Sequence, residues 1–87
     1  MILIADSGST KTSWCLLKKG ASPIFFETEG YNPYFAGTDY ITASLLHGLP
    51  PDVDRQGIGG VYFYGAGCFE DKTAIVSDAL AIVFPAA

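Results

Sequence analysis

Seven consecutive residues near the N-terminus, Asp6-Ser7-Gly8-Ser9-Thr10-Lys11-Thr12, combine a carboxylate, an ammonium group, four hydroxyls and a glycine. That set suits an anionic oxygen ligand, and phosphate in particular. Small side chains let backbone N–H groups approach oxyanions closely. The hydroxyls of Ser7, Ser9, Thr10 and Thr12 add donors, and Lys11 adds a point charge. Asp6, closing an apolar run, is placed to hold a magnesium ion or its waters. Two other readings compete. Asp-Ser-Gly-Ser is an ordinary hairpin composition, in which Asp and Ser cap their own backbone. Lys11-Thr12 also mimics the end of a P-loop. That motif needs Gly directly before the Lys and again five residues earlier, where this chain has Thr10 and Ala5. A P-loop opens into a helix, whereas Ser13-Trp14-Cys15-Leu16-Leu17 carries a strand pattern, so the P-loop is excluded on both counts.

Other candidates are more ambiguous. Gly65-Ala66-Gly67 follows an apolar strand pattern. It either lets the chain turn into a helix or forms a ligand loop at a strand's carboxyl end, as open α/β sheets commonly do. Asn32 precedes Pro33 and reads as a turn starter. Tyr31, Tyr34 and Phe35 crowd one loop, where they either stack on a ligand ring or pack beneath another part of the protein. His47 stands alone beside a helix-ending Gly48, which suits a helix dipole better than catalysis. Glu27 and Glu29 alternate along one strand face and read as solvated rather than as an acid/base couple. Cys15 and Cys68 form no Cys-x-x-Cys, so neither a disulfide framework nor a zinc site is signalled, and a reducing, cytoplasmic setting is expected.

The elements that must position these groups follow from the hydrophobic pattern. Ile2-Leu3-Ile4 is a continuous apolar run, predicting a strand buried on both faces. Residues 12–17 alternate, with Trp14 and Leu16 on one side and Cys15 and Leu17 on the other. Lys18-Lys19-Gly20-Ala21 predicts a reverse turn, and residues 23–28 a third strand. Short turns between the three make an antiparallel meander. After the loop at 29–37, Thr38 or Asp39 is expected to cap a helix carrying Ile41, Leu45 and Leu46, ended by Gly48 and Pro50-Pro51. A polar, glycine-rich stretch at 52–60 reads as a surface crossover into the strand Val61-Tyr62-Phe63-Tyr64. Glu70 and Asp71 suit the first turn of a second helix, whose apolar positions include Ile75, Val76, Ala79, Leu80, Ile82 and Val83. Pro85 stops it. Trp14, Phe25, Phe26 and Phe63 are expected in the core. The order β-β-β-α-β-α predicts an α/β fold with a mixed sheet and helices packed on it.

Composition bounds the rest. In 87 residues, 49% are hydrophobic and 16% charged, against about 25% charged in an average domain. No apolar run approaches the roughly 18 residues of a membrane helix, so no membrane partner is expected. The net charge of −4 and pI near 4.5 argue against a nucleic-acid surface. The apolar excess, and the ending Val83-Phe84-Pro85-Ala86-Ala87 without a polar tail, lead us to expect part of a larger protein. The competing expectation is a hydrophobic mini-protein that forms a homodimer.

The stretch 1–14 resembles the first phosphate motif of the sugar kinase, Hsp70 and actin superfamily. Within it, the resemblance is nearest to the N-acetylglucosamine kinase and BadF/BadG-type ATPase branch, which opens with an acidic residue, a glycine run, Thr, then Lys or Arg. Ser7 and Ser9 stand here for glycines, and Ser13 stands where relatives often carry an acidic residue. Gly30-Tyr31-Asn32-Pro33 followed by Gly37-Thr38-Asp39, and Tyr64-Gly65-Ala66-Gly67, resemble later loops of the same branch. The resemblance implies a ribonuclease-H-like (actin-like ATPase) lobe, with 1–87 as its N-terminal part, and a second lobe beyond it with ATP between the two. It implies ATP and Mg²⁺ as cofactors. Asp6 would orient the hydrated metal, and Ser7, Gly8, Ser9, Thr10, Lys11 and Thr12 would meet the phosphates. Asn32, Gly65, Ala66 and Gly67 would hold an amino sugar such as N-acetylglucosamine. The general base of such kinases lies in a later element, so no catalytic residue and no turnover are expected of 1–87 alone. An alternative within the resemblance is an ATPase that activates a partner enzyme by nucleotide-driven closure. The activators of 2-hydroxyacyl-CoA dehydratases do so with an iron–sulfur cluster, for which Cys15 and Cys68 are ill placed. A non-catalytic binding module is the third reading, and the two serines in the glycine run are its only hint.

Overall fold

Residues 1–8, 10–34, 36–65 and 72–87 are described by the computed structural model of the chain. They form β1 (Ile2–Ser7), β2 (Lys11–Leu17), β3 (Ile24–Glu29), α1 (Thr38–Gly48), β4 (Gly60–Gly65) and α2 (Thr73–Val83). The three N-terminal strands pair antiparallel, and β4 joins β1 in parallel, giving the order β3-β2-β1-β4. The short turns dictate the meander. Between β2 and β3, Ala21 N–H donates to the Lys18 carbonyl at 3.2 Å, and Gly20 takes φ +80°, a conformation that costs glycine little. The crossover through α1 makes β4 parallel.

Alternation along β1 decides what is covered. Leu3, Ala5 and Ser7 are buried, whereas Ile2, Ile4 and Asp6 are exposed. The expectation of a strand buried on both faces is therefore corrected. Both helices pack on one face of the sheet, where Ile41 and Leu45 of α1 and Val76, Ala79 and Val83 of α2 join Leu3, Trp14 and Leu16 in one cluster. The opposite face is open and carries Tyr62, Tyr64 and Phe25, the last 74% exposed rather than in the core as expected. Ile82 of α2 also faces outward.

Trp14 is the centre of the covered face. Its ring stacks on Phe26 with centroids 5.7 Å apart, meets the edge of Tyr31 at 6.5 Å, and donates from Nε1 to Thr28 Oγ1 at 2.9 Å. Removing such a side chain costs about 3–5 kcal/mol. Gly37, not Thr38 or Asp39, is the N-cap of α1. Thr38 is instead drawn to the neighbouring helix, where its Oγ1 donates to the Ile75 carbonyl at 3.0 Å. Lys72 precedes α2, and Glu70 and Asp71, expected in its first turn, lie outside the described residues. The crossover at 52–60 contains one turn of 3-10 helix (Arg55–Gly57), and Ile58 within it is fully buried. Arg55 Nη1 donates to the Val83 carbonyl at 3.2 Å, and Gly59 N–H to the Met1 carbonyl at 3.0 Å. Among the described residues no helix is long and apolar enough to cross a membrane.

Candidate functional site

The register brings the three chemically marked segments to one end of the sheet. Ser7, closing β1, pairs with Thr12 of β2 on one side and Gly65 of β4 on the other, while Lys11 pairs with Glu29 at the end of β3. The turn after β1, the loop after β3 and the residues after β4 all leave from there. This is the carboxyl end of two parallel strands, the usual ligand crevice of open α/β sheets.

The pleat divides the Asp6–Thr12 segment between two environments. Asp6 lies on the open face, in register with Ser13 and Tyr64, and Gly8, Thr10 and Lys11 are exposed. Lys11 Nζ sits 3.1 Å from Glu27 Oε2, both side chains well exposed. Such a pair is worth at most about 1 kcal/mol and leaves the ammonium free to exchange partners. Gly8 N–H closes the hairpin by donating to the Lys11 carbonyl at 2.8 Å. Ser7 and Thr12 point the other way, 4% and 0% exposed. Their hydroxyl oxygens lie 2.7 Å apart, and Thr12 Oγ1 donates to the Glu29 carbonyl at 3.0 Å. As placed, these two hydroxyls serve the interior and not the solvent side of the turn. Ser9, Ala66, Gly67 and Cys68 lie outside the described residues, and Gly65 is half-buried at the end of β4.

Asn32 does what its place before proline suggests. Its Oδ1 accepts from Tyr34 N–H at 3.0 Å and its carbonyl from Ala36 N–H at 3.0 Å, so the side chain closes its own loop. Its amide nitrogen makes no hydrogen bond among the described residues, which leaves two donors for a ligand. Tyr31 is fully buried, with its hydroxyl 2.9 Å from Ser44 Oγ. Burial pushes the Tyr31 phenol above its ordinary range, opposed by the Ser44 and Thr28 hydroxyls. Two contacts were not legible in the sequence. Tyr40 donates to Glu29 Oε1, and that hydrogen bond holds the Tyr40 phenol up. Lys72 Nζ lies 5.5 Å from the centre of the Tyr34 ring, bringing a cation from the start of α2 to this loop. Only the loop's aromatic crowding hinted at such a contact.

A cavity of about 350 Å³ opens elsewhere, between β4 and α2, with an apolar lining that includes Val61, Phe63, Val76, Leu80 and Phe84. Among the described residues no three acidic, histidine or cysteine groups cluster as a metal cage would require. A single exposed carboxylate fits magnesium, which keeps several waters and binds through one or two carboxylates together with phosphate oxygens.

Strand order, mixed pairing and a crevice at the carboxyl strand ends define the fold as a ribonuclease-H-like lobe of the actin-like ATPase kind. No family model matches the chain, and no curated protein does. Among solved structures, it is similar over 100% of its length to the putative N-acetylglucosamine kinase of Porphyromonas gingivalis, with 42% identity and a TM-score of 0.86. The chain spans 31% of that protein's length. It is thus homologous to that protein over these residues and corresponds to part of that larger chain.

Proposed function

We propose that residues 1–87 are the N-terminal part of the nucleotide-binding lobe of an ATP-dependent sugar kinase. Its reaction is phosphoryl transfer from ATP to an N-acetylhexosamine such as N-acetylglucosamine. The observation that carries this reading is the 42% identity, at a TM-score of 0.86, to a kinase named for that sugar. Phosphoryl transfer asks a protein for positioning and charge neutralisation more than for covalent chemistry. Bound MgATP would supply the group transferred. On the protein's side, the Asp6 carboxylate would hold a hydrated cation, and Lys11, held only by an exposed ion pair with Glu27, would neutralise phosphate charge. Gly8, Ser9 and Thr10 would meet the phosphates between them. The amide nitrogen of Asn32, together with Gly65, Ala66 and Gly67, would bind the sugar. Deprotonation of the sugar hydroxyl needs a base from a later element.

Two features support more of the lobe, and a second lobe, lying beyond these residues. The open face exposes Ile4, Phe25, Tyr62 and Tyr64 on neighbouring strands, and exposed apolar patches mark interaction surfaces. β4 is also an edge strand, with an apolar cavity beside it. The test is ADP release by the full-length protein with and without N-acetylglucosamine. Release that depends on the sugar is expected. Release that ignores every amino sugar overturns the kinase reading and points to a nucleotide-driven switch.

A further inference from the structure

The two hydroxyls that face inward form a directed chain. Thr12 has one hydroxyl proton, which it donates to the Glu29 carbonyl at 3.0 Å. The 2.7 Å contact between the two hydroxyls must then run from Ser7 to Thr12. Ser7 has a second acceptor in reach, the Gly8 carbonyl, but at 3.5 Å it is far weaker. Ser7 Oγ in turn accepts from the Tyr31 backbone N–H at 2.9 Å. The chain therefore reads Tyr31 N–H to Ser7 to Thr12 to the Glu29 carbonyl. It starts in the loop after β3, ends at the last residue of β3, and passes through both ends of the bend between β1 and β2. Every hydroxyl in it is oriented by its neighbours.

We propose that Ser7 and Thr12 are positioning residues that lock the phosphate-facing bend to the loop carrying Asn32, so that nucleotide and sugar affinities are coupled. The inference rests on the kinase reading above. Asn32 is the next residue after Tyr31, and the Tyr31 ring is itself fixed by burial and by Ser44. A shift of the bend on binding phosphate therefore pulls on the Tyr31 amide, and with the ring held, the displacement falls on the neighbouring Asn32. By linkage, the sugar must then change nucleotide affinity by the same factor. Glu29 belongs to the same unit, because its carbonyl takes the last bond and its carboxylate holds Tyr40 at the start of α1.

The test uses the full-length protein and N-acetylglucosamine affinity measured with and without a non-hydrolysable ATP analogue. In the wild type the analogue is expected to tighten sugar binding by roughly fivefold or more. Thr12→Val, which keeps the shape and removes the hydroxyl, brings that ratio close to one, and Thr12→Ser restores it. A role confined to stability would lower the melting temperature and leave the ratio alone. A folded Thr12→Val protein with the wild-type ratio overturns the proposal. Should that variant not fold, hydrogen exchange of the Tyr31 amide in the wild type decides: the analogue alone slows it several-fold if the chain transmits, and no change overturns it. Wild-type protein lacking any sugar-dependent ADP release would instead refute the kinase reading, and the coupling would fall with it.

Discussion

Adding one methyl group at Gly8 separates ligand geometry from fold. Among the described residues beyond its chain neighbours, a Cβ built there meets only the Lys11 carbonyl oxygen, at 3.6 Å, an ordinary van der Waals distance. Gly20 is the one described glycine with positive φ, so Gly8 holds no conformation that alanine would resist. Gly8→Ala should therefore leave stability unchanged or raise it by about 0.4–1 kcal/mol, through a less flexible unfolded chain. The bend is another matter. A phosphate oxygen accepting from its donors sits about 2.9 Å from nitrogen, and a methyl group on the approach pushes it outward. Loss of one charge-assisted hydrogen bond to phosphate, worth about 1.5–3 kcal/mol, would weaken ATP binding by roughly ten- to a hundredfold.

Gly48→Ala is the matched control. Its Cβ would lie 2.7 Å from Thr28 Cγ2, a clash that displaces the threonine holding the Trp14 indole. Overpacking of that kind costs about 1–3 kcal/mol. It should lower the melting temperature without altering ATP affinity in protein that remains folded. Thermal denaturation and calorimetric titration of ATP into the full-length variants read both quantities. Unchanged ATP affinity in Gly8→Ala would refute the idea that the bend cradles phosphate.

Lys11→Met should weaken ATP binding markedly while moving the melting temperature little, because its ion pair with Glu27 is exposed on both sides. Glu27→Gln, by freeing the ammonium, should leave stability unchanged and tighten ATP binding slightly at low salt, and titrations at two ionic strengths check both. Tyr31 supplies a pH signature. Its folded pKa is raised above the ordinary 10.0, chiefly by burial. Its contribution is thus intact below pH 10 and is lost as the pH climbs through the folded value. Stability measured by denaturant titration should fall in that alkaline window. Tyr31→Phe should reduce the slope, leaving the part that comes from Tyr40, whose phenol the Glu29 hydrogen bond holds up.

Much of the architecture could be read from the residues. Short, glycine-bearing turns forced the meander, and a helix before the fourth strand made that strand parallel. The covered face was harder. Ile2-Leu3-Ile4 is compatible with a strand buried on one face or on both, and only the docking of both helices on one side exposed Ile2 and Ile4. Thr38 looked like a cap because its type is right, but α2 offered its hydroxyl a tertiary partner at Ile75 that local sequence does not reveal. At the site, strand ends announced the convergence, yet the uniformly polar composition of residues 6–13 hid the orientation of Ser7 and Thr12. Counting by twos back from Leu16 and Trp14 would have put Thr12 on the covered face.

That period of two explains how one short polar segment supports two tasks. Alternation sends Asp6, Lys11 and Ser13 to the open face, and Ser7 and Thr12 to the side where α1 and α2 pack. A buried hydroxyl pair adds only about 1 kcal/mol each in net stability, and same-shaped apolar residues would do nearly as well. What apolar residues could not do is accept the Tyr31 N–H, a buried backbone donor whose loss of partner costs about 1–3 kcal/mol. The polar character of the inner positions is therefore required by the loop after β3, not by the core. An exposed charge at the bend and a fixed Asn32 across from it are two consequences of a single strand register.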